Sequence, residues 1–432
     1  MPLLDQTHDP SLRSWIDSAN APDGDFPIQN LPFGVFCAAG AAATVGVAIG
    51  DRILDVAAVS DRLSPRARAA AESCAADSLN GLMAMGRPAA RALRQELSRL
   101  LSEPSGRPHV QPHLHGMADV ELQAPVRVGD YTDFYASIDH ATHVGRLFRP
   151  DHPLLANYRW VPIAYHGRAS TIVPSGRPVR RPWGQALPPG AAEPVFRPAA
   201  SLDYELELGV YLGAAAEPGR RLTIEQAGDQ IFGFSLLNDW SARDIQAWEY
   251  QPLGPFLSKN FATSVGAWVV TADAMEPFRR TAAPRGDAPP PLPYLASARD
   301  QAEGGLGIDM QALILTDAMR RDGRQPAPLS RADFGGMYWT VAQMLAHHAS
   351  NGCRLQVGDL LGSGTVSGPD PRSGGCLLEI TSRGAEPVTL PGGETRGFLD
   401  DGDEIVLRAR CEREGFAPIG FGECRAQVLA AD

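Results

Sequence analysis

At 432 residues the chain is longer than one hydrophobic core usually serves, about 250–300 residues, so one large domain plus a smaller one is expected. Hydrophobic residues at 44%, charged residues at 21%, a formal net charge of −11 and no long Lys/Arg cluster exclude a disordered chain and a nucleic-acid-binding surface. The six cysteines are scattered without a CxxC pair, which points to reduced packing thiols and away from structural zinc or disulfides.

The opening stretch MPLLDQTHDPSLRSW has no basic segment ahead of an apolar one, so no secretory signal is expected and a cytoplasmic location follows by default. Residues 33 to 60 (FGVFCAAG, TVGVAIGDRILDVAAV) alternate apolar and small residues around Gly and Asp turns, the pattern of short antiparallel strands. Gly34 to Gly50 is too short and too rich in Gly and Ala to cross a bilayer, which takes about 20 apolar residues. In PAARALRQELSRLLS (88–102), Ala89, Leu93, Leu97, Leu100 and Leu101 fall near helical spacing, with Pro88 suited to the first turn. A small β-rich domain ending in helix is expected over residues 1–122, and a larger one over 123–432. In the larger part ASTIVPSG, SLDYELELGVYLG, SVGAWVV, LLEI and EIVLRARC read as strands, Tyr338 to His348 as a helix, and APPPLPYL (288–295) as a surface crossing.

The acidic pattern is densest in SLDYELELGVYLG. A strand period of two sends Leu202, Tyr204, Leu206 and Leu208 to one face, and Asp203, Glu205 and Glu207 to the other. Alone, this pattern favours a half-exposed strand with a wet acidic face. The segment DYTDFYASIDHATHVGRLF adds Asp130, Asp133, Asp139 and His140 among aromatics, and LLNDWSARDIQAWEY adds Asp239, Arg243 and Gln246 after an apolar strand. Carboxylates converging from separate apolar-flanked segments repel unless a cation neutralises them, and hard oxygen ligands select Ca2+ or Mg2+ over zinc. A divalent-metal site is the expectation.

Lys259 is the single lysine among 39 basic residues. Arg replaces Lys where a solvated charge is all that is required, but not where a compact ammonium with three rotatable donors is. Lys259, set in the apolar stretch LGPFLSKNF, is therefore a candidate functional residue. GSGTVSG (362–368) imitates a dinucleotide loop, yet its spacing is GxGxxxG and Pro369 and Pro371 follow where a helix would start. HExxH, GxSxG and GxxxxGK[ST] are absent. His347 and His348 read as core packing or a dimer contact, and Asp400, Asp401, Asp403 and Glu404 around Gly402 as a solvated hairpin turn without EF-hand spacing.

The runs DYTDFY, HAT, YHGRAS, NDWSARDIQAWEY, PLGPF, GSGTVSGP, DGDE and IGFGEC, with SWIDSAN and DFPIQNLPFGVF near the start, resemble the fumarylacetoacetate hydrolase family over nearly the whole chain. The resemblance implies a mostly β, α+β protein: a small N-terminal SH3-like β-barrel and a C-terminal mixed β-sandwich roll, assembled as a homodimer. It assigns Asp133, Glu205, Glu207 and Asp239 as metal-binding carboxylates, selecting Glu205 and Glu207 over Asp203. Lys259 and Thr263 match a region tied to a second, Mg2+ site that shares Asp239. Tyr135, Arg149, Tyr165, Gln246, Tyr250 and Thr365 match substrate-contacting positions, His140 the general base and Glu379 its carboxylate partner. The chain departs from the family at Ser258 and Ala262, usually Gly, and at His143, commonly Asn.

Cleaving a β-diketone takes a nucleophilic water, an acceptor for charge on the attacked carbonyl and a sink for the departing carbanion. His140 can deprotonate water near neutral pH with a carboxylate fixing its tautomer, and a metal can chelate the diketone oxygens. Arg243, Gln246 and Lys259 can donate to the developing oxyanion. The implied reaction is hydrolysis of 4-fumarylacetoacetate to fumarate and acetoacetate, the last step of tyrosine and phenylalanine breakdown. Rivals are hydrolysis of a related acylpyruvate, decarboxylation of a keto acid, or a catalytically silent, metal-stabilised binding homologue.

Overall fold

The computed structural model describes residues 3–214 and 217–432; the first two residues of the stretch read for a leader lie outside them. The predicted early strands form as Phe33–Ala38, Thr44–Ile49 and Arg52–Asp55, an antiparallel meander. Leu114–Gly116 joins one edge of this sheet and Val120–Gln123 the other, with a single 3-10 turn, Met117–Asp119, between them. That order is the SH3-like arrangement. The predicted helix runs Arg87–Ser102 with Pro88 in its first turn, and it buries Ala89, Leu93, Leu97, Leu100 and Leu101. Contrary to expectation, this region ends in strands and not in helix, because the two edge strands follow the helix and complete the sheet.

The larger part is built on an eight-stranded mixed sheet whose central strands are Leu206–Leu212 and Ile231–Asp239. Both are buried on both faces, so they read as near-continuous apolar runs. One face packs against a second, five-stranded sheet through Leu206, Leu208, Val210, Ile314, Ile405, Leu407 and Phe421. The other face carries Tyr131, Tyr211, Leu237 and Val265 into a core shared with the N-terminal sheet and helices. Phe33 and Val269 exchange backbone hydrogen bonds of 3.0 and 2.7 Å across the join. By strand alternation Asp133, Glu207, Asp239 and Thr263 share that face with these apolar residues but lie beyond the stretch that the N-terminal part covers.

Three expectations are corrected. LLEI is not a strand: Leu377–Ile380 is one helical turn, because Asp203 accepts from the Leu377 and Leu378 N–H groups at 2.8 and 3.0 Å and caps it from 174 residues away. For the same reason Asp203 does not line up with Glu205 and Glu207. The strand is interrupted after Leu202–Asp203 and restarts at Leu206. The turn around Gly402 is not wholly solvated, since Asp403 is buried and accepts from Arg396 at 2.8 and 3.0 Å. The helix near Tyr338 forms as Val341–His348, opened by a Thr340/Gln343 capping box. Its His348 and His347 pair with Thr132 Oγ1 at 2.8 Å and Tyr294 OH at 3.0 Å, respectively. All six cysteines are free thiols.

Candidate active site

Asp133 comes from Tyr131–Phe134, Glu207 from Leu206–Leu212 with Glu205 just ahead of it, and Asp239 ends Ile231–Asp239. All four carboxylates are buried, each with an oxygen within 4.8 Å of the others. The wall between them is the loop that imitates a dinucleotide motif. The Gly364 N–H donates to Asp133 Oδ1 at 3.2 Å and Glu207 Oε2 at 3.1 Å. At Gly362 a Cβ would sit 2.3 Å from Asp133 Oδ1, and Gly364 has a φ of +77°. The Gly-rich spacing thus serves close approach of backbone to carboxylates.

Burying four carboxylates together is costly unless cations offset them. Lys259 Nζ donates to Glu205 Oε2 at 2.5 Å and also to Asp239 Oδ2. Arg243 binds Glu205 Oε1 at 2.8 Å and Asp203 Oδ2 at 2.9 Å, while its Nη1 donates to Gln246 Oε1 at 3.1 Å. Burial works against the Lys259 charge, but Asp239 and Glu205 outweigh it and hold the ammonium above its ordinary range. Burial also works against the Glu205 charge, yet Lys259 and Arg243 bring its pKa down to about 2. Asp133 and Glu207 fare differently: burial, then the neighbouring carboxylates, push both well above the usual range. Glu207 Oε1 and Arg243 Nη2 are buried without a hydrogen-bond partner. An all-oxygen donor set with surplus charge and an orphaned oxygen fits a hard divalent cation.

His140 lies in the first turn of the helix Ile138–Phe148, whose N-cap Ser137 accepts from the His140 N–H at 3.2 Å. Its Nδ1 is 2.6 Å from Glu379 Oε2. Glu379 also accepts from Ser367 Oγ at 2.8 Å, Cys376 Sγ at 3.2 Å and His143 Nδ1 at 3.0 Å. Burial opposes its charge, but His140 and these donors hold it well below the carboxylate range. With Nδ1 engaged by an ionised carboxylate, the neutral ring leaves Nε2 as its proton acceptor.

Tyr135 sets its ring edge-on to His140 at 5.2 Å, and Tyr165 OH donates to Asp239 Oδ2 at 2.7 Å. Thr263 sits opposite Asp239 in the sheet, its hydroxyl 3.4 Å from Asp239 Oδ1. Arg149 closes the His140 helix, and its buried Nε has no partner. Thr365 is buried in the loop after Gly364. Tyr250 is more exposed, its OH accepting from Gln251 at 3.2 Å. Sequence reasoning passed over Cys376 and Ser367, which complete the Glu379 shell, and Glu249, which holds the Lys259 loop. Cys376 stands one helical turn before Glu379, a spacing that could have signalled it.

Comparison with known proteins gives a consistent result. A family model described as "Fumarylacetoacetate (FAA) hydrolase C-terminal" matches residues 131–429, and "Fumarylacetoacetase N-terminal" matches 29–125. The chain is 44% identical to the fumarylacetoacetase of Arabidopsis thaliana over 97% of this chain and 98% of that protein. It is 42% identical to that of Homo sapiens over 95% and 98%. The structure of a fumarylacetoacetate hydrolase from Exiguobacterium antarcticum superposes with a TM-score of 0.52 at 19% identity, over 93% of this chain and 99% of that one, a likeness of fold alone.

Proposed function

The chain belongs to the fumarylacetoacetase family, and on that premise we infer that it hydrolyses 4-fumarylacetoacetate to fumarate and acetoacetate, the last step of tyrosine and phenylalanine catabolism. The observation that carries the mechanism is a buried His140–Glu379 pair near enough to the four-carboxylate cluster for His140 to act on the Glu205 charge. A divalent cation, Mg2+ or Ca2+, held by Asp133, Glu205, Glu207 and Asp239 would supply Lewis-acid chelation of the diketone oxygens. Thr263 and the Lys259 segment, which the resemblance ties to a second, Mg2+ site sharing Asp239, would hold that ion through oxygen atoms, since an ammonium has no lone pair to offer.

His140 Nε2 takes a proton from water as the water oxygen bonds to the carbonyl carbon beside the fumaryl double bond. Glu379 stabilises the imidazolium. Lys259, Arg243 and Gln246 donate to the oxyanion. The carbon–carbon bond then breaks, its electron pair leaves on acetoacetate as an enolate, and a proton returns to that carbon. Arg149, Tyr135, Tyr165, Tyr250 and Thr365 bind the substrate's two carboxylates and its chain, Arg149 with an N–H already buried and unpartnered.

The working form is a homodimer in the cytoplasm. Support for the dimer comes from exposed apolar residues on and around the helix Arg243–Glu249: Trp248, Leu253, Phe256 and the stacked pair Trp183 and Phe196. No helix among the described residues is long and apolar enough to cross a membrane. The test is a substrate comparison with purified protein and Mg2+ or Ca2+. Fumarylacetoacetate is expected to exceed a simple acylpyruvate in kcat/KM by up to about 10⁴-fold, because donors built for the far carboxylate are otherwise left unpaired. Equal kcat/KM, or preference for the acylpyruvate, transfers the activity to that substrate class.

A further inference from the structure

Glu249 ends the helix that starts at Arg243 and carries Gln246, and it turns its carboxylate toward the loop ahead of Lys259. Its Oε1 accepts from the Phe256 N–H at 2.7 Å, the Ser258 N–H at 2.8 Å and Ser258 Oγ at 2.6 Å. Its Oε2 accepts from the Leu257 N–H at 3.1 Å. Three successive N–H groups converging on one carboxylate form an anion nest filled by the protein's own side chain. Within one protomer the segment between has little packing to hold it, with Leu253 96% and Phe256 66% exposed. Beyond the nest the path is pinned again. Ala242 N–H donates to the Ser258 carbonyl at 3.0 Å, and Thr171 Oγ1 to the Asn260 carbonyl at 2.8 Å.

We propose that Glu249 is a positioning residue: its carboxylate clamps residues 256–258 to the Arg243 helix, so that the Lys259 ammonium is held in fixed register with Arg243 and Gln246. The inference rests on the reading of Lys259 as an oxyanion donor. Ser258 fits the same role. Where the family usually has Gly, this chain has a hydroxyl that adds a fourth bond to the carboxylate. Lys carries a long flexible stem, so its ammonium is placed only as well as the backbone beneath it.

The test measures kcat and KM at saturating Mg2+ for Glu249→Ala, Glu249→Gln, Lys259→Arg and the double variant Glu249→Ala/Lys259→Arg, each with and without formate. Glu249→Ala is expected to lower kcat about 10²-fold, the cost of misplacing a catalytic group by ~1 Å, with a smaller change in KM. Formate is expected to restore much of that loss by entering the vacated nest, which a merely structural role does not predict. In the Lys259→Arg background the alanine is expected to add little, because the group it positions is already displaced. Glu249→Gln preserves side-chain volume and keeps one acceptor oxygen, so its kcat falls between wild type and alanine. Wild-type kcat in both Glu249 variants overturns the clamp. So does a loss that formate leaves untouched and that multiplies in full with the loss from Lys259→Arg. Wild-type kcat in Lys259→Arg alone overturns the reading of Lys259 itself, and that single variant separates the two failures.

Discussion

Two networks of buried charge hold this molecule, and they are balanced differently. Where the N-terminal helix meets the larger part, Asp273 and Glu276 face Arg87, Arg91 and Arg279: Arg87 binds both acids at 2.9 and 3.1 Å, Arg91 binds Asp273, and Arg279 binds Glu276 at 3.2 Å. The Leu3 N–H adds a bond to Glu276 at 3.1 Å. Burial opposes the Asp273 charge, yet Arg87 and Arg91 hold its pKa below the ordinary value. In the carboxylate cluster the balance reverses, and Asp133 and Glu207 are pushed well upward. The first network is complete without help. The second holds more acids than Lys259 and Arg243 can balance, which is what a cation-binding site would need.

Removing one aspartate from each network separates the two roles. Asp239→Ala is expected to abolish turnover and lower metal content together, since the remaining oxygens are too few for a hard cation. Stoichiometric metal with full rate would show the cluster assignment to be wrong. Asp273→Ala is expected to do the opposite, leaving kcat unchanged while costing about 1–3 kcal/mol of stability, because it leaves the partly buried Arg87 and Arg91 guanidinium groups short of a partner. Chemical denaturation measures it. Since the folded pKa of Asp273 is depressed, its contribution is present above the unfolded value of about 3.9 and lost as pH falls through the folded one. A variant with wild-type stability at pH 7 would contradict the balance described for this network.

How far each network was legible follows from the range of its contacts. Alternation in SLDYELELGVYLG brought Glu205 and Glu207 to one face, but it also placed Asp203 there. Only the fold shows Asp203 capping Leu377–Ile380, a partner no local pattern reveals. The same contact explains why the apolar run LLEI is a helical turn and not a strand. Lys259 stood out by composition and sits between Glu205 and Asp239. Glu249 and Cys376 gave no composition signal, because their roles consist of hydrogen bonds to a loop and to a side chain. The Arg87–Asp273 network was invisible for a like reason: its partners lie 186 residues apart.

The smallest effect tests the edge of the His140–Glu379 network, at His143. This half-buried imidazole donates to Glu379 Oε1 while His140 engages Oε2, so one carboxylate serves two rings. The hydrogen bond that His143 donates to Glu379 raises the His143 pKa above its ordinary value, with burial pulling the other way. A raised folded pKa means that the stabilisation is fully present below the unfolded value, about 6.5, and is lost as pH rises through the folded one. Wild-type stability is therefore expected to decline across that window. In His143→Asn, which installs the residue common in the family, an amide N–H can still donate to Glu379 but nothing titrates. Its stability is expected to lack the His143 component of that decline, so that the two proteins diverge over the window, with kcat within a few-fold of wild type because the His140–Glu379 pair is intact. Thermal melts at pH 6 and pH 8 for the two proteins read this directly, and parallel declines would place the pH dependence elsewhere in the molecule.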